Sequence, residues 1–197
     1  MRNINNTINE KGCNICFGIR SNAENIILYF KNNNQVNIAS VFTNNINAKV
    51  LEKAKQLKTH TEVFDKTQLS DGAILNKINK IKPDLIVLAG FLLKFPESII
   101  EAYPNKIINI HPALLPKYGG KGMYGMNVHR AVLENKETKT GITIHYVNKN
   151  YDEGEFIFQK NVSITNCKTP EEIAVKIHEL EMECFPKEIE KLLIPKT

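Results

Sequence analysis

Residues 85–90 (LIVLAG) form an apolar run without polar alternation, bounded by Asp84 and ending in glycine. A strand with no polar face has to be covered on both sides, which is the position of a central strand in a parallel sheet. The segments before it alternate in the way such a sheet requires. A short apolar run at 15–17 precedes 22–30 (NAENIILYF), which opens on the N-cap residue Asn22 and carries Ile26, Ile27 and Phe30 at helical spacing. Residues 36–42 read as a β-branched strand, 48–57 as a helix, 61–64 as a short strand and 70–81 as a further helix. This repeat predicts an α/β fold: a doubly wound, mostly parallel sheet flanked by helices, with right-handed crossovers. In such a Rossmann-like sheet the ligand crevice lies at the carboxyl ends of the strands.

The pattern changes after the central strand. Residues 107–111 form a strand stopped by Pro112, and 116–127 read as a loop containing Gly119, Gly120, Gly122 and Gly125. The glycine-rich stretch 119–125 (GGKGMYG) lacks the order of a phosphate loop and is expected to be a mobile surface loop near the site. Residues 142–147 alternate like a strand with one polar face. Thr169, Pro170 and Glu172 provide an N-cap, an N1 proline and a capping-box partner for a last helix running to about residue 193, which Pro186 is expected to kink. No repeat, linker or low-complexity stretch divides the chain. The expectation is one domain over 1–197, with 1–11 a polar N-terminal extension.

Composition narrows the function classes. Of 197 residues, 26 are Lys or Arg and 21 Asp or Glu, for a net charge of +5. The basic residues are interleaved with acids and form no basic patch, which argues against nucleic-acid binding and fits a mild bias toward anionic small molecules. No apolar run reaches membrane-spanning length and the N-terminus has no apolar signal core, so a cytoplasmic protein without a membrane partner is expected. Cys13 and Cys16 have CxxC spacing but fall in the first strand, not at a helix N-terminus; with Cys167 and Cys184 they read as reduced packing residues. No second pair of ligands stands near Cys167 or Cys184, so no metal is expected.

Two short segments carry chemistry. Asn109 and His111 are two residues apart on one strand and therefore face the same side, where Pro112 ends the strand at the expected crevice. An amide beside an imidazole can polarise a carbonyl and stabilise the oxyanion that forms from it. A hydrogen-bonded structural histidine satisfies the same spacing. Residues 151–154 (YDEG) form a turn shortly after the next strand; Asp152 either orients and charges His111 or is a solvated turn carboxylate.

Residues 84–91 (DLIVLAGF), 109–117 (NIHPALLPK), 128–130 (VHR), 140–147 (TGITIHYV) and 152–159 (DEGEFIFQ) together resemble the 10-formyltetrahydrofolate-dependent formyltransferases, in order and at close to family spacing. The likeness is nearest to the branch that formylates phosphoribosylglycinamide (GAR). It implies formyl transfer from 10-formyltetrahydrofolate to the GAR amine in purine biosynthesis, with small-molecule substrates only, no metal, and a monomer or homodimer. The catalytic set it implies is Asn109, a protonated His111 and Asp152, with a proton-relaying water held near Thr143. The folate pocket falls on Leu92, Leu93, Lys94 and Phe95 and on Val147, Asn150 and Tyr151. The amine substrate falls on Arg20, Ser21, Asn22 and Gly90, with Glu181 gripping its ribose. The first loop departs from the family: residues 18–22 (GIRSN) place Ile19 and Arg20 where compact residues such as those of GSGSN are usual, and a direct Arg20 contact to the phosphate is expected in compensation, the alternative being that Ser21, Asn22 and the loop backbone hold it. Two other readings keep the core: an N-formyltransferase acting on another amine, such as a nucleotide-linked amino sugar, and a non-catalytic folate-binding module.

Overall fold

The computed structural model describes residues 13–18 and 21–194. Five parallel strands, β1 (Cys13–Gly18), β2 (Asn37–Thr43), β3 (Thr61–Val63), β4 (Leu85–Ala89) and β5 (Ile107–His111), are extended by the antiparallel strands β6 (Lys139–Tyr146) and β7 (Phe156–Ser163). Their order across the sheet is β3-β2-β1-β4-β5-β6-β7. All five residues of β4 are buried, as its unbroken apolar run requires. Leu85, Val87 and Ala89 face one core layer and Ile86 and Leu88 the other. Each fully buried isoleucine of this kind contributes about 1.5–3 kcal/mol.

Helices cover both faces. Helix α1 (Ser21–Phe30) packs Ala23, Ile26, Ile27 and Phe30 into the first layer, joined by α2 (Lys49–Gln56). The second layer holds Leu69 of α3 (Lys66–Ser70), Ile74 and Ile78 of α4 (Ala73–Ile81) and Ile99 of α5 (Glu97–Ala102). The helix expected over 70–81 begins only at Ala73, and a separate short helix, α3, precedes it. Asp65 caps α3 through a reciprocal capping box with Gln68, and the chain then turns through Gly72 at φ 90° before α4 begins. That left-handed conformation costs glycine nothing, and it ends one helix and starts another.

Helix α6 (Met126–Glu134) follows the glycine-rich loop, and α7 (Pro170–Leu193) closes the first layer with Ile173, Ile177, Leu180, Cys184, Phe185 and Ile189 at helical spacing. The Thr169 side chain accepts from the Glu172 N–H as a cap, while the Glu172 carboxylate takes the N–H of Lys168, one residue earlier than a capping box would have it. Helix α7 continues through Pro186. A proline there cannot donate to the carbonyl four residues back, that of Met182. Asn25 Nδ2 of α1 donates to that carbonyl at 2.9 Å, so the missing bond is replaced by one between helices.

On one face of the sheet the apolar row gives way to a polar one. Ile108, Ile110, Ile142 and Ile144 enter the first core layer, leaving Asn109, His111, Thr143 and His145 together on the opposite face. The polar face that the alternation of β6 foretold is buried at Thr143 and His145, and the segment after His111 is bonded over it through Leu115. Buried polar groups must find partners, and these partnerships build the site.

Candidate active site

Antiparallel pairing sets Asn109 opposite His145 and His111 opposite Thr143. The turn after β6 returns Asp152 to the same place: its Oδ2 lies 3.5 Å from His111 Nδ1, and its Oδ1 lies 3.6 Å from His145 Nε2. Asp152 adopts φ 56°, and its Oδ2 also accepts the Gly120 N–H at 2.9 Å. His111 Nε2 donates to the Tyr118 carbonyl at 2.7 Å, so the glycine-rich segment is tied to both members of the pair. Asn109 Nδ2 lies 3.3 Å from His145 Nε2, and His145 Nδ1 lies 2.9 Å from the Tyr146 carbonyl.

These groups stand in a cleft of about 530 Å³ at the carboxyl end of β4 and β5, a size suited to a drug-sized ligand. Asn109, His111 and Asp152 line it together. So do Leu92, Leu93, Lys94 and Phe95 after β4, and Val147, Asn150 and Tyr151 after β6. Gly90, at φ 73°, lets the chain leave β4 along the cleft wall. Lys94 is salt-bridged to Glu97 at 2.9 Å, and Phe95 is mostly buried in the second core layer. Asn22 and Glu181 also line the cleft and meet through Asn22 Nδ2 and Glu181 Oε2 at 2.9 Å. Asn22 lies within α1, not at its cap. Arg20 lies outside the described residues, and Ser21 is described only as the first residue of α1. In the glycine-rich stretch, Gly120, Lys121, Gly122, Met123, Tyr124 and Gly125 form one wall of the cleft.

Thr143 has a different task from the one expected. It is fully buried, donates to the Ala113 carbonyl at 2.7 Å, and accepts from the Leu115 N–H at 3.0 Å and Gln159 Nε2 at 2.9 Å. One donated and two accepted bonds exhaust a hydroxyl, so Thr143 anchors the segment after His111 and has no bond left for a relay water. Thr143→Val should cost about 1–3 kcal/mol by stranding these partners. In the folded variant turnover should fall less than about tenfold, well short of the roughly 10²–10⁴-fold effect of a lost proton-transfer group. Urea unfolding with steady-state kinetics checks both.

His145 was not singled out from the sequence. It stands two residues beyond Thr143 on the face that also holds Asn109 and His111, so the same i, i+2 argument applied to β6 would have found it. His129 and His178, on the facing sides of α6 and α7, line the cleft as well.

Electrostatics alter one expectation. Burial in the cleft pulls the His111 pKa below the ordinary histidine value of 6.5, against the raising pull of Asp152 and the Tyr118 carbonyl. The resting imidazole is therefore less readily protonated than the Asp152 contact alone would make it. Burial would by itself raise the Asp152 carboxyl, but the His111 charge and the Gly120 N–H oppose it, and the carboxyl lies below its ordinary 3.8. The two shifts act in the same direction on stability. The unfolded chain takes up a proton at His111 near pH 6.5 before the folded chain does, so stability is full above pH 6.5 and falls as the pH drops below it. Asp152 adds a second loss as the pH drops below 3.8. The urea midpoint should decline between pH 7 and 5.5 in the parent and decline less in His111→Asn; identical slopes would show that His111 does not carry the effect.

The pattern described as formyl transferase matches residues 11–189 of the chain. The chain belongs to the formyl transferase family. Among its relatives, phosphoribosylglycinamide formyltransferase of Escherichia coli (strain K12) is 32% identical over 175 residues, covering 86% of this chain and 80% of that protein. The chloroplastic phosphoribosylglycinamide formyltransferase of Arabidopsis thaliana is 44% identical over 109 residues, which are 55% of this chain and 37% of that longer protein. The crystal structure of phosphoribosylglycinamide formyltransferase from Bacillus halodurans superposes with a TM-score of 0.83 at 30% identity, covering 93% of this chain and 96% of that one. In this family member, Asn109, His111 and Asp152 meet in one cleft at the carboxyl end of the sheet. Among the described residues no group of three or more His, Cys, Asp or Glu side chains is placed to hold a metal, and no helix is long and apolar enough to cross a membrane.

Proposed function

We propose that the protein transfers the formyl group of 10-formyltetrahydrofolate to the amine of phosphoribosylglycinamide. The observation that carries the reading is the convergence of Asn109, His111 and Asp152 at one end of a cleft whose other wall, from Leu88, Leu92, Phe95 and Val147, is apolar. An apolar wall accommodates the fused ring of a folate, and the polar end receives its formyl group. At the far side, Asn22 and Glu181 offer hydrogen-bonding groups to a polyhydroxylated amine.

The amine nitrogen attacks the formyl carbon as a neutral nucleophile, and the carbonyl electron pair moves onto oxygen. The Asn109 amide and the His111 imidazole stabilise that oxyanion, with Asp152 supplying the countercharge that makes proton uptake by His111 favourable as negative charge develops. Collapse breaks the bond between the formyl carbon and the folate nitrogen, and the proton lost by the amine ends on that leaving nitrogen. No covalent enzyme intermediate forms. His111 Nε2–H is given to the Tyr118 carbonyl at 2.7 Å, so this N–H must leave that carbonyl to reach the oxyanion. The 118–120 segment therefore moves as substrate enters, which gives the glycine-rich stretch its role.

The test is a direct assay of formyl transfer from 10-formyltetrahydrofolate to GAR, followed by release of tetrahydrofolate. Transfer to a nucleotide-linked amino sugar and not to GAR would keep the chemistry and change the substrate. Folate binding without transfer to either would leave a binding module.

A further inference from the structure

His145 is buried at the centre of the site, yet the formyl transfer just described gives it no step. Its two nitrogens have different surroundings. Nδ1 lies 2.9 Å from the Tyr146 carbonyl, which can only accept, so Nδ1 carries the hydrogen. In a neutral ring Nε2 is then a lone pair, and the group 3.3 Å from it has to be a donor: Asn109 Nδ2. That contact settles which end of the Asn109 amide faces β6, a choice an isolated side chain would leave open. One amide hydrogen is held by His145, and the second is left for the cleft that Asn109 lines.

The charged groups facing His145 are Asp152, with Oδ1 3.6 Å from Nε2, and beyond it His111, which shares that carboxylate. A proton on Nε2 would oblige Asn109 to turn its oxygen toward β6, and it would set a second cation beside His111 in competition for Asp152. From this geometry we infer that His145 is a positioning residue which, as the neutral Nδ1–H tautomer, holds the Asn109 amide so that it donates to the reacting carbonyl oxygen. The inference rests on the formyl-transfer reading for its kinetic consequence, but not for the tautomer.

Two measurements test it. In the parent protein, long-range correlations of ¹⁵N-labelled histidine, with His145 assigned by the signal lost in His145→Gln, should show a neutral ring protonated at Nδ1 at pH 7.5. An imidazolium or an Nε2–H tautomer would overturn the assignment whether or not the protein acts on GAR. In kinetics, His145→Phe keeps the ring volume but removes the acceptor. It should lower kcat about 10- to 100-fold, less than the roughly 10²–10³-fold loss of an oxyanion donor itself, with the folate KM within about threefold of the parent. His145→Gln keeps an acceptor near the Nε2 position and should hold kcat within about threefold. A folded His145→Phe with parental kcat, or a His145→Gln as impaired as His145→Phe, would each refute the positioning role. Should His145→Phe fail to fold, the tautomer and the His145→Gln kinetics still decide.

Discussion

Replacing His111 by alanine should lower turnover about 10²- to 10⁴-fold while leaving folate binding close to that of the parent. His111 is 3% exposed and bridges Asp152 and the Tyr118 carbonyl, so its removal takes away both the group proposed to answer the oxyanion and the tie that holds the glycine-rich segment. The Leu92 and Val147 wall is untouched, which is why the folate KM should move little. Asp152→Asn keeps the shape of the carboxylate and removes its charge, and should cost a similar though smaller factor. Because the two act as one unit, the double variant should be scarcely worse than His111→Ala alone. Thermal unfolding of each variant separates lost chemistry from lost structure. A well-folded His111→Ala with near-parental turnover would remove the mechanism.

What the sequence revealed, and what it did not, follows the range of each interaction. β4 was legible because a strand covered on both faces needs no context beyond its own apolar residues. The break between α3 and α4 was written locally as well, in Asp71 and Gly72, but the apolar spacing of residues 74 and 78 with their neighbours outweighed it in the reading. Asn109 and His111 could be paired because one strand holds both. The partnership of His111 with Asp152 spans β6 and a turn, and spacing alone could not give it. The resemblance placed Asp152 there, and in the fold its Oδ2 lies 3.5 Å from His111 Nδ1. The resemblance likewise placed a relay water near Thr143, but the three bonds of that hydroxyl, to Ala113, Leu115 and Gln159, join residues that only the fold brings together. The Asn25 amide on the Met182 carbonyl joins residues 157 apart, and no local pattern encodes it.

Gly154→Ala should be the most damaging small substitution in the described structure. Gly154 is buried where the turn carrying Asp152 passes over β6, and a Cβ added there would collide with the Tyr146 carbonyl oxygen and carbon. Those are backbone atoms in a strand paired on both sides, with no flexible side-chain end that could yield. The same carbonyl takes the hydrogen of His145 Nδ1, and the neighbouring Tyr146 N–H is bound to the Glu155 carbonyl at 2.9 Å. Relief of the clash therefore has to move either the β6 edge under His145 or the turn that sets Asp152. The expected cost is about 3 kcal/mol or more, roughly 6–12 °C in Tm for a chain of this size, together with a fall in turnover larger than unfolding at the assay temperature explains. Gly72→Ala is the control: its φ of 90° strains any side chain, but a Cβ there meets nothing within 4 Å, so about 1 kcal/mol and unchanged turnover are expected. Comparable melting losses in the two variants would mean that backbone conformation, not close approach, governs both positions. Parental turnover in a destabilised Gly154→Ala would mean that the turn can shift without carrying Asp152 away from His111.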